Sequence, residues 1–208
     1  MSCVRITVAA VGLLLLSAPA LSSTIDFETP VVSGSQVISP YVDAATGVVF
    51  TSPGANVGLV QNLVTSSCVP PADTNQKLGT GPLGSTSIGL SNFEIHATFM
   101  GTLPVTMVSV EFQALAGTPL LLALKDASGA IILQTVVIAG PGTGSCYGGA
   151  VRARTTLNLT SPQPAASAVM AVGTNSVFVI DNFMLETPPV PAQSATWGGV
   201  KALFGLEQ

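Results

Sequence analysis

Acid–base chemistry in this chain would have to be done by one histidine, His96, and ten acidic side chains. A Ser-His-Asp triad needs its histidine beside a nucleophile. His96 instead sits in the alternating stretch Phe93-Glu94-Ile95-His96-Ala97-Thr98-Phe99, on the polar side with Glu94 and Thr98. That parity fits an exposed strand histidine with no catalytic role. No Gly-x-Ser-x-Gly elbow, His-Glu-x-x-His pair or phosphate loop occurs. Paired carboxylates can hydrolyse glycosidic bonds, and Asp26, Glu28, Glu94, Glu111 and Asp181 are among those available. Ten carboxylates in any fold will include a close pair, so their number alone does not argue for catalysis.

The cysteines point to a compartment. Residues 1–23 run from a single basic residue, Arg5, through the apolar stretch Ile6 to Leu16 into small residues ending at Ser23. That is the three-part order of a secretory signal peptide, and the apolar stretch is too short for a membrane span, which takes about 20 residues. Cleavage after Ala20, Ser22 or Ser23 suits the residues present, and Thr24 is taken as the approximate mature start. Cys3 leaves with the leader, so Cys68 and Cys146 remain, and an oxidising compartment favours a disulfide between them over two free thiols. Closing a loop of 77 intervening residues would stabilise the fold by about 4 kcal/mol in the chain-entropy picture.

The elements that must position these groups are strands. From Thr24 to Glu186, apolar and β-branched stretches alternate with Gly, Pro, Ser, Asn and Asp clusters, and no stretch sustains helical periodicity. Val108, Val110, Phe112 and Ala114 share one face of a strand, with Ser109, Glu111 and Gln113 on the other. Val151 to Leu159 repeats the pattern. Asp126-Ala127-Ser128-Gly129 has the chemistry of a tight connection and predicts a hairpin between Leu120–Lys125 and Ala130–Ile138. Further strands are expected over Ile25–Glu28, Val48–Thr51, Gly58–Val64, Ser87–Leu90, Ala168–Val172 and Val177–Leu185. Thr29–Gly47 and Ser66–Gly84, rich in Pro, Gly, Ser and Asp, are expected to be surface loops. Many short strands with regular turns predict an all-β domain, a β-sandwich spanning residues 24–186.

Charge narrows the partners. Charged residues are 8% of the chain, against about 25% in typical soluble proteins. With Arg5 gone, ten acidic residues face five of the six basic ones. No basic stripe exists to neutralise phosphates, which disfavours nucleic acid.

The two ends of the domain carry paired motifs. Ile25-Asp26-Phe27-Glu28 opens it, and Val179-Ile180-Asp181-Asn182-Phe183 closes it with an acidic residue inside an apolar run. This pairing resembles the galactose-binding-like jelly rolls of carbohydrate-binding modules and of domains in bacterial PEP-CTERM exported proteins. The resemblance implies a jelly-roll sandwich, adjacent end strands and, as in several carbohydrate-binding members, a structural calcium ion. Asp26, Glu28 and Asp181 would be its ligands, since calcium takes carboxylate oxygens in a flexible shell; the alternative is that Asp181 and Asn182 hydrogen-bond neighbouring backbone. The resemblance also implies glycan binding, which uses exposed aromatic faces. Tyr41 and Tyr147 are the loop aromatics with that potential, unless they pack their loops down instead.

The tail departs from the PEP-CTERM pattern, because no terminal apolar helix or Arg cluster follows Val190-Pro191. Residues 187–208 read as a Pro-rich linker followed by a short segment in which Trp197, Val200 and Phe204 could share a helical face. The expectation is a secreted or cell-surface, non-enzymatic binding module without a transmembrane helix once the signal is removed. Glycans or cell-envelope components are its expected partners. A structural matrix protein without a small ligand is the alternative, with a carboxylate-dependent hydrolase behind it.

Overall fold

The computed structural model describes residues 21–31, 35–53, 57–63, 76–82, 94–101, 104–141, 144–146, 150–173 and 178–188. They belong to a compact unit spanning Leu21–Pro188. Its strands are β1 (Ser22–Ile25), β2 (Ser35–Ile38), β3 (Tyr41–Asp43), β4 (Val48–Thr51), β5 (Val57–Leu63), β6 (Gln76–Pro82) and β7 (Glu94–Phe99). They continue as β8 (Val105–Leu115), β9 (Pro119–Lys125), β10 (Ile131–Ile138), β11 (Gly144–Cys146), β12 (Ala150–Ala165), β13 (Ser167–Val172) and β14 (Phe178–Glu186).

These strands form a two-sheet β-sandwich of the jelly-roll kind expected, with every observed pairing antiparallel. The larger, eight-stranded sheet runs β11-β12-β8-β14-β6-β5-β2, with β1 also pairing β14. The smaller sheet runs β10-β9-β13-β7-β4-β3. The chain crosses between sheets from β8 to β9, from β12 to β13 and from β13 to β14, so segments adjacent in sequence face each other across the core. Among the described residues no helix is long and apolar enough to cross a membrane.

Alternation builds the core. Val108, Val110, Phe112 and Ala114 of β8 meet Leu120, Leu122 and Leu124 of β9 and Ala168 and Met170 of β13, all of them buried. At the other end Phe27, Tyr41, Phe50 and Phe183 form an aromatic cluster with edge-to-face rings 5.2 to 5.8 Å apart. Each such ring contributes about 1.5–3 kcal/mol by burial, and the edge-to-face pairs add to it.

The expected hairpin forms. Asp126 Oδ1 accepts hydrogen bonds from Ser128 N, Ser128 Oγ and Ala130 N, and Gly129 takes the left-handed φ of 85° that the turn requires. Those bonds, the one from the Ser128 hydroxyl first, hold the Asp126 carboxyl below its ordinary pKa.

Three expectations are corrected. The opening strand covers Ser22–Ile25, not Ile25–Glu28, and starts two residues ahead of Thr24. It stops there because Phe27 adopts a left-handed φ of 59°, which turns its ring into the core. The expected loop Thr29–Gly47 contains β2 and β3, and the expected loop Ser66–Gly84 contains β6. Ser, Gly and Gln hide a strand when its pairing is set by its neighbours. The expected strand Ser87–Leu90 and the tail after Pro188 lie outside the described residues.

The closing strand β14 is internal, flanked by β8 on one side and by β6 and β1 on the other, which explains its apolar run. Its pairing with β8 slips between Asp181 and Met184, and Asn182 takes the left-handed φ of 47° that makes the bulge. Asn is one of the few residue types other than Gly that adopt this conformation readily. Without the slip, Ile180 and Phe183 would face opposite sides of the sheet; with it both are fully buried.

Candidate functional site

On β8, the same alternation that sends Val110 and Phe112 inward sends Ser109, Glu111 and Gln113 to the outer face of the larger sheet. The registers place Asp181 of β14 directly beside Glu111, and Thr156 of β12 on its other side. Arg154 of β12 lies opposite Gln113. Ile180 pairs with Leu78, so the next residue on β14, Asp181, meets Lys77 of β6. The result is a charged row across four neighbouring strands: Lys77, Asp181, Glu111 and Arg154.

The row is locked at one end and open at the other. Lys77 Nζ donates to Asp181 Oδ2 at 2.6 Å, with both side chains essentially inaccessible at 0% and 1% exposure. Burial pushes the Asp181 carboxyl above its ordinary pKa; the Lys77 ammonium opposes this, and Glu111 reinforces it. Asp181 Oδ1 accepts from the backbone N–H of Asn182 at 2.8 Å, which ties the carboxylate to the bulge. Further along, Arg154 Nε lies 3.2 Å from Glu111 Oε1, and the Gln113 amide donates to the same oxygen at 3.0 Å. Here exposure rises, to 12% at the Glu111 side chain and 24% at Arg154. Thr156 and Asn158 beside them are exposed.

This geometry decides what the carboxylates can do. Glu111 and Asp181 are neighbours, but Asp181 is sealed and paired with an ammonium, so it cannot reach a substrate. A two-carboxylate hydrolytic site needs both groups at the reacting bond.

The three expected calcium ligands are not gathered. Asp26 Oδ1 accepts from Glu28 N in an exposed turn. Glu28 Oε1 accepts from the backbone N–H of Gln76 at 2.8 Å, while the Gln76 amide donates to Phe27 O and Pro30 O. Glu28 thus fastens the opening segment to the start of β6, and the next residue, Lys77, supplies positive charge at Asp181. Among the described residues no group of three or more His, Cys, Asp or Glu is placed to hold a metal ion.

Tyr41 is corrected too. It lies on β3 and is buried, with 4% of its surface exposed, so its ring is no platform for a sugar. Its hydroxyl donates to Thr29 O at 2.8 Å. Burial, and after it the carboxylates of Asp43, Asp26 and Glu28, push its pKa up to about 12. Tyr147 and Cys68 lie outside the described residues. Cys146 ends β11, but its side chain, and with it the disulfide, lies outside them as well. His96 sits on the outer face of the smaller sheet, partly exposed, with Nε2 2.7 Å from Glu94 Oε2.

Sequence reasoning missed Lys77, Arg154 and Gln113. A signal for Lys77 was present: an acidic residue inside an apolar run needs a counter-charge, and the chain has six basic residues to supply one.

In sequence, no protein-family model and no curated protein matches the chain. In structure, it is similar to the K1 cleaved adhesin domain of Lys-gingipain from Porphyromonas gingivalis W83, at 13% identity over 82% of this chain and 99% of that one, with a TM-score of 0.44. It is similar at the same identity, coverage and TM-score to the carbohydrate-binding module TmCBM27, whose structure was dissected for mannan recognition. A family 29 carbohydrate-binding module from Piromyces equi is similar at 10% identity over 81% of this chain and 91% of that one, with a TM-score of 0.40.

Proposed function

We propose that this chain is an exported, non-enzymatic binding module for glycans, and that its ligand sits on the outer face of the larger sheet over Glu111, Gln113 and Arg154. The carrying observation is the graded row. A sealed Lys77–Asp181 pair anchors one end, and at the other a carboxylate and a guanidinium stand partly open, with the buried Gln113 amide holding the carboxylate from beneath. Such groups offer paired donors and acceptors at fixed separation, which suits adjacent sugar hydroxyls. Their placement on strands fixes their geometry before a ligand arrives, which lowers the entropic cost of binding. The resemblance of the end strands to those of carbohydrate-binding jelly rolls supports the same ligand class.

A glycan array followed by titration calorimetry tests this. Arg154→Ala and Glu111→Gln should each weaken binding about tenfold or more, as expected for losing a charge-assisted hydrogen bond, with little change in melting temperature. Binding that survives both substitutions would move the site elsewhere. A module that binds no glycan would favour the second reading, a structural surface protein. One observation favours that reading: the described tyrosine and all but one of the described phenylalanines, the half-buried Phe99, are buried in the core, which leaves no fully exposed ring among the described residues for a sugar to stack on.

A further inference from the structure

The leader's small residues allow more than one cleavage position, and the fold separates them. A cut after Ala20 puts Ala18 and Ala20 at the third and first positions before the bond, where a signal peptidase reads small side chains. A cut after Ser22 puts Ala20 and Ser22 there and satisfies the same rule. A cut after Ser23 places the larger Leu21 at the third position.

The structure uses what the later cuts would remove. Ser22 pairs with Glu186, Ser23 with Leu185, Thr24 with Met184 and Ile25 with Phe183. One step further out, Leu21 O accepts the backbone N–H of Thr187 at 3.0 Å, and Thr187 is buried. A buried N–H that loses its acceptor is costly. Leu21 and Ser23 also form part of the wall of a cavity of about 360 Å³, with Thr46, Phe99, Leu185 and Thr187. Removing Leu21 and Ser22 would take Leu21 out of that wall and leave Thr187 N–H without its backbone acceptor. The compact unit itself begins at Leu21.

We infer that the exported chain is processed at the Ala20–Leu21 bond and that Leu21 is the first mature residue. A signal peptidase supplies the reaction, and one water is consumed. The Ala20 carbonyl carbon takes the oxygen and leaves on the leader as a carboxylate, while the Leu21 nitrogen becomes the new α-ammonium. This rests on the export reading. The full chain, expressed in a bacterial host, is recovered from the exported fraction and examined by N-terminal sequencing and intact mass. A start at Leu21 is expected. An exported product starting at Ser23 or Thr24 overturns the inference while leaving export intact, and a chain retained with its leader overturns both. A companion pair joins the leader directly ahead of Leu21 or of Ser23. The product starting at Ser23 should melt about 2–6 °C lower; equal melting temperatures would remove the structural reason for the assignment.

Discussion

A lysine without accessible surface, set against an aspartate that is nearly as enclosed, is the placement in this molecule with the most at stake. Lys77 and Asp181 offset each other's desolvation, so losing one alone strands the other. Asp181→Ala or Lys77→Ala should lower stability by about 3–5 kcal/mol, whereas an apolar double replacement such as Lys77→Met with Asp181→Leu should recover most of it. Denaturant unfolding of the four proteins closes the cycle, and additive losses would show that the pair is not coupled. Because the lysine already supplies positive charge at Asp181, neither chelator nor added calcium should shift the melting temperature; a calcium-dependent rise would reinstate the ion. Tyr41 gives a pH signature. Its folded pKa of about 12 lies above the ordinary 10.0, so its contribution is complete below pH 10 and is lost as pH rises through 12. The loss amounts to about 2–3 kcal/mol at 1.36 kcal/mol per pKa unit. Tyr41→Phe should be less stable at neutral pH, lacking the bond to Thr29 O, yet show a shallower alkaline decline. Asp181 was legible from sequence as a residue out of place, but its partner was not, because Lys77 stands among residues that read as loop.

Among the elements, the strands that alternate cleanly were legible: β7, β8, β9, β10, β12 and β13 lie where their patterns put them, give or take a few residues. β2, β3 and β6 were not, and the reason is shared. Ser35-Gln36-Val37-Ile38, Tyr41-Val42-Asp43 and Gln76-Lys77-Leu78-Gly79-Thr80 carry too few apolar residues to announce a face, and pairing with β5, with β4 across a short turn, and with β5 and β14 makes them strands. Tyr41 was misplaced for the same reason, since a tyrosine expected in a loop looks available and one on a core strand is not. The edge strand β10 carries a different consequence. Ile131-Ile132-Leu133-Gln134-Thr135-Val136-Val137-Ile138 holds no charge and no proline, and Ile131, Val136 and Ile138 are more than half exposed. Natural edges are usually guarded by a charge or a bulge against pairing with other chains; β10 has a register slip only at its start, between Ile131 and Leu133, and its remaining length pairs regularly and carries no charge. Val136→Lys should therefore reduce concentration-dependent association in sedimentation velocity without lowering stability; unchanged association would place any contact elsewhere.

For the whole molecule, composition and alternation were enough to reach an all-β sandwich, because low charge and period-two patterning leave few other ways to bury so much apolar surface. The site was less legible, since a row built across four strands depends on registers that no local pattern encodes. One feature of that architecture bears on how the domain carries load. β1 and β14 run antiparallel, and the hydrogen bond from Thr187 N to Leu21 O closes the ladder where both ends of the domain emerge. Tension applied between those ends acts along the ladder bonds, which lie across the strands, so the bonds part in sequence like a zipper and are not sheared together. Forced unfolding follows the unfolding barrier, not the equilibrium stability, and here the first barrier is the release of four residues. Tweezer traces should show a small early extension at low force before the main rip. A single abrupt event would mean that β1 shares the tension with the strands behind it.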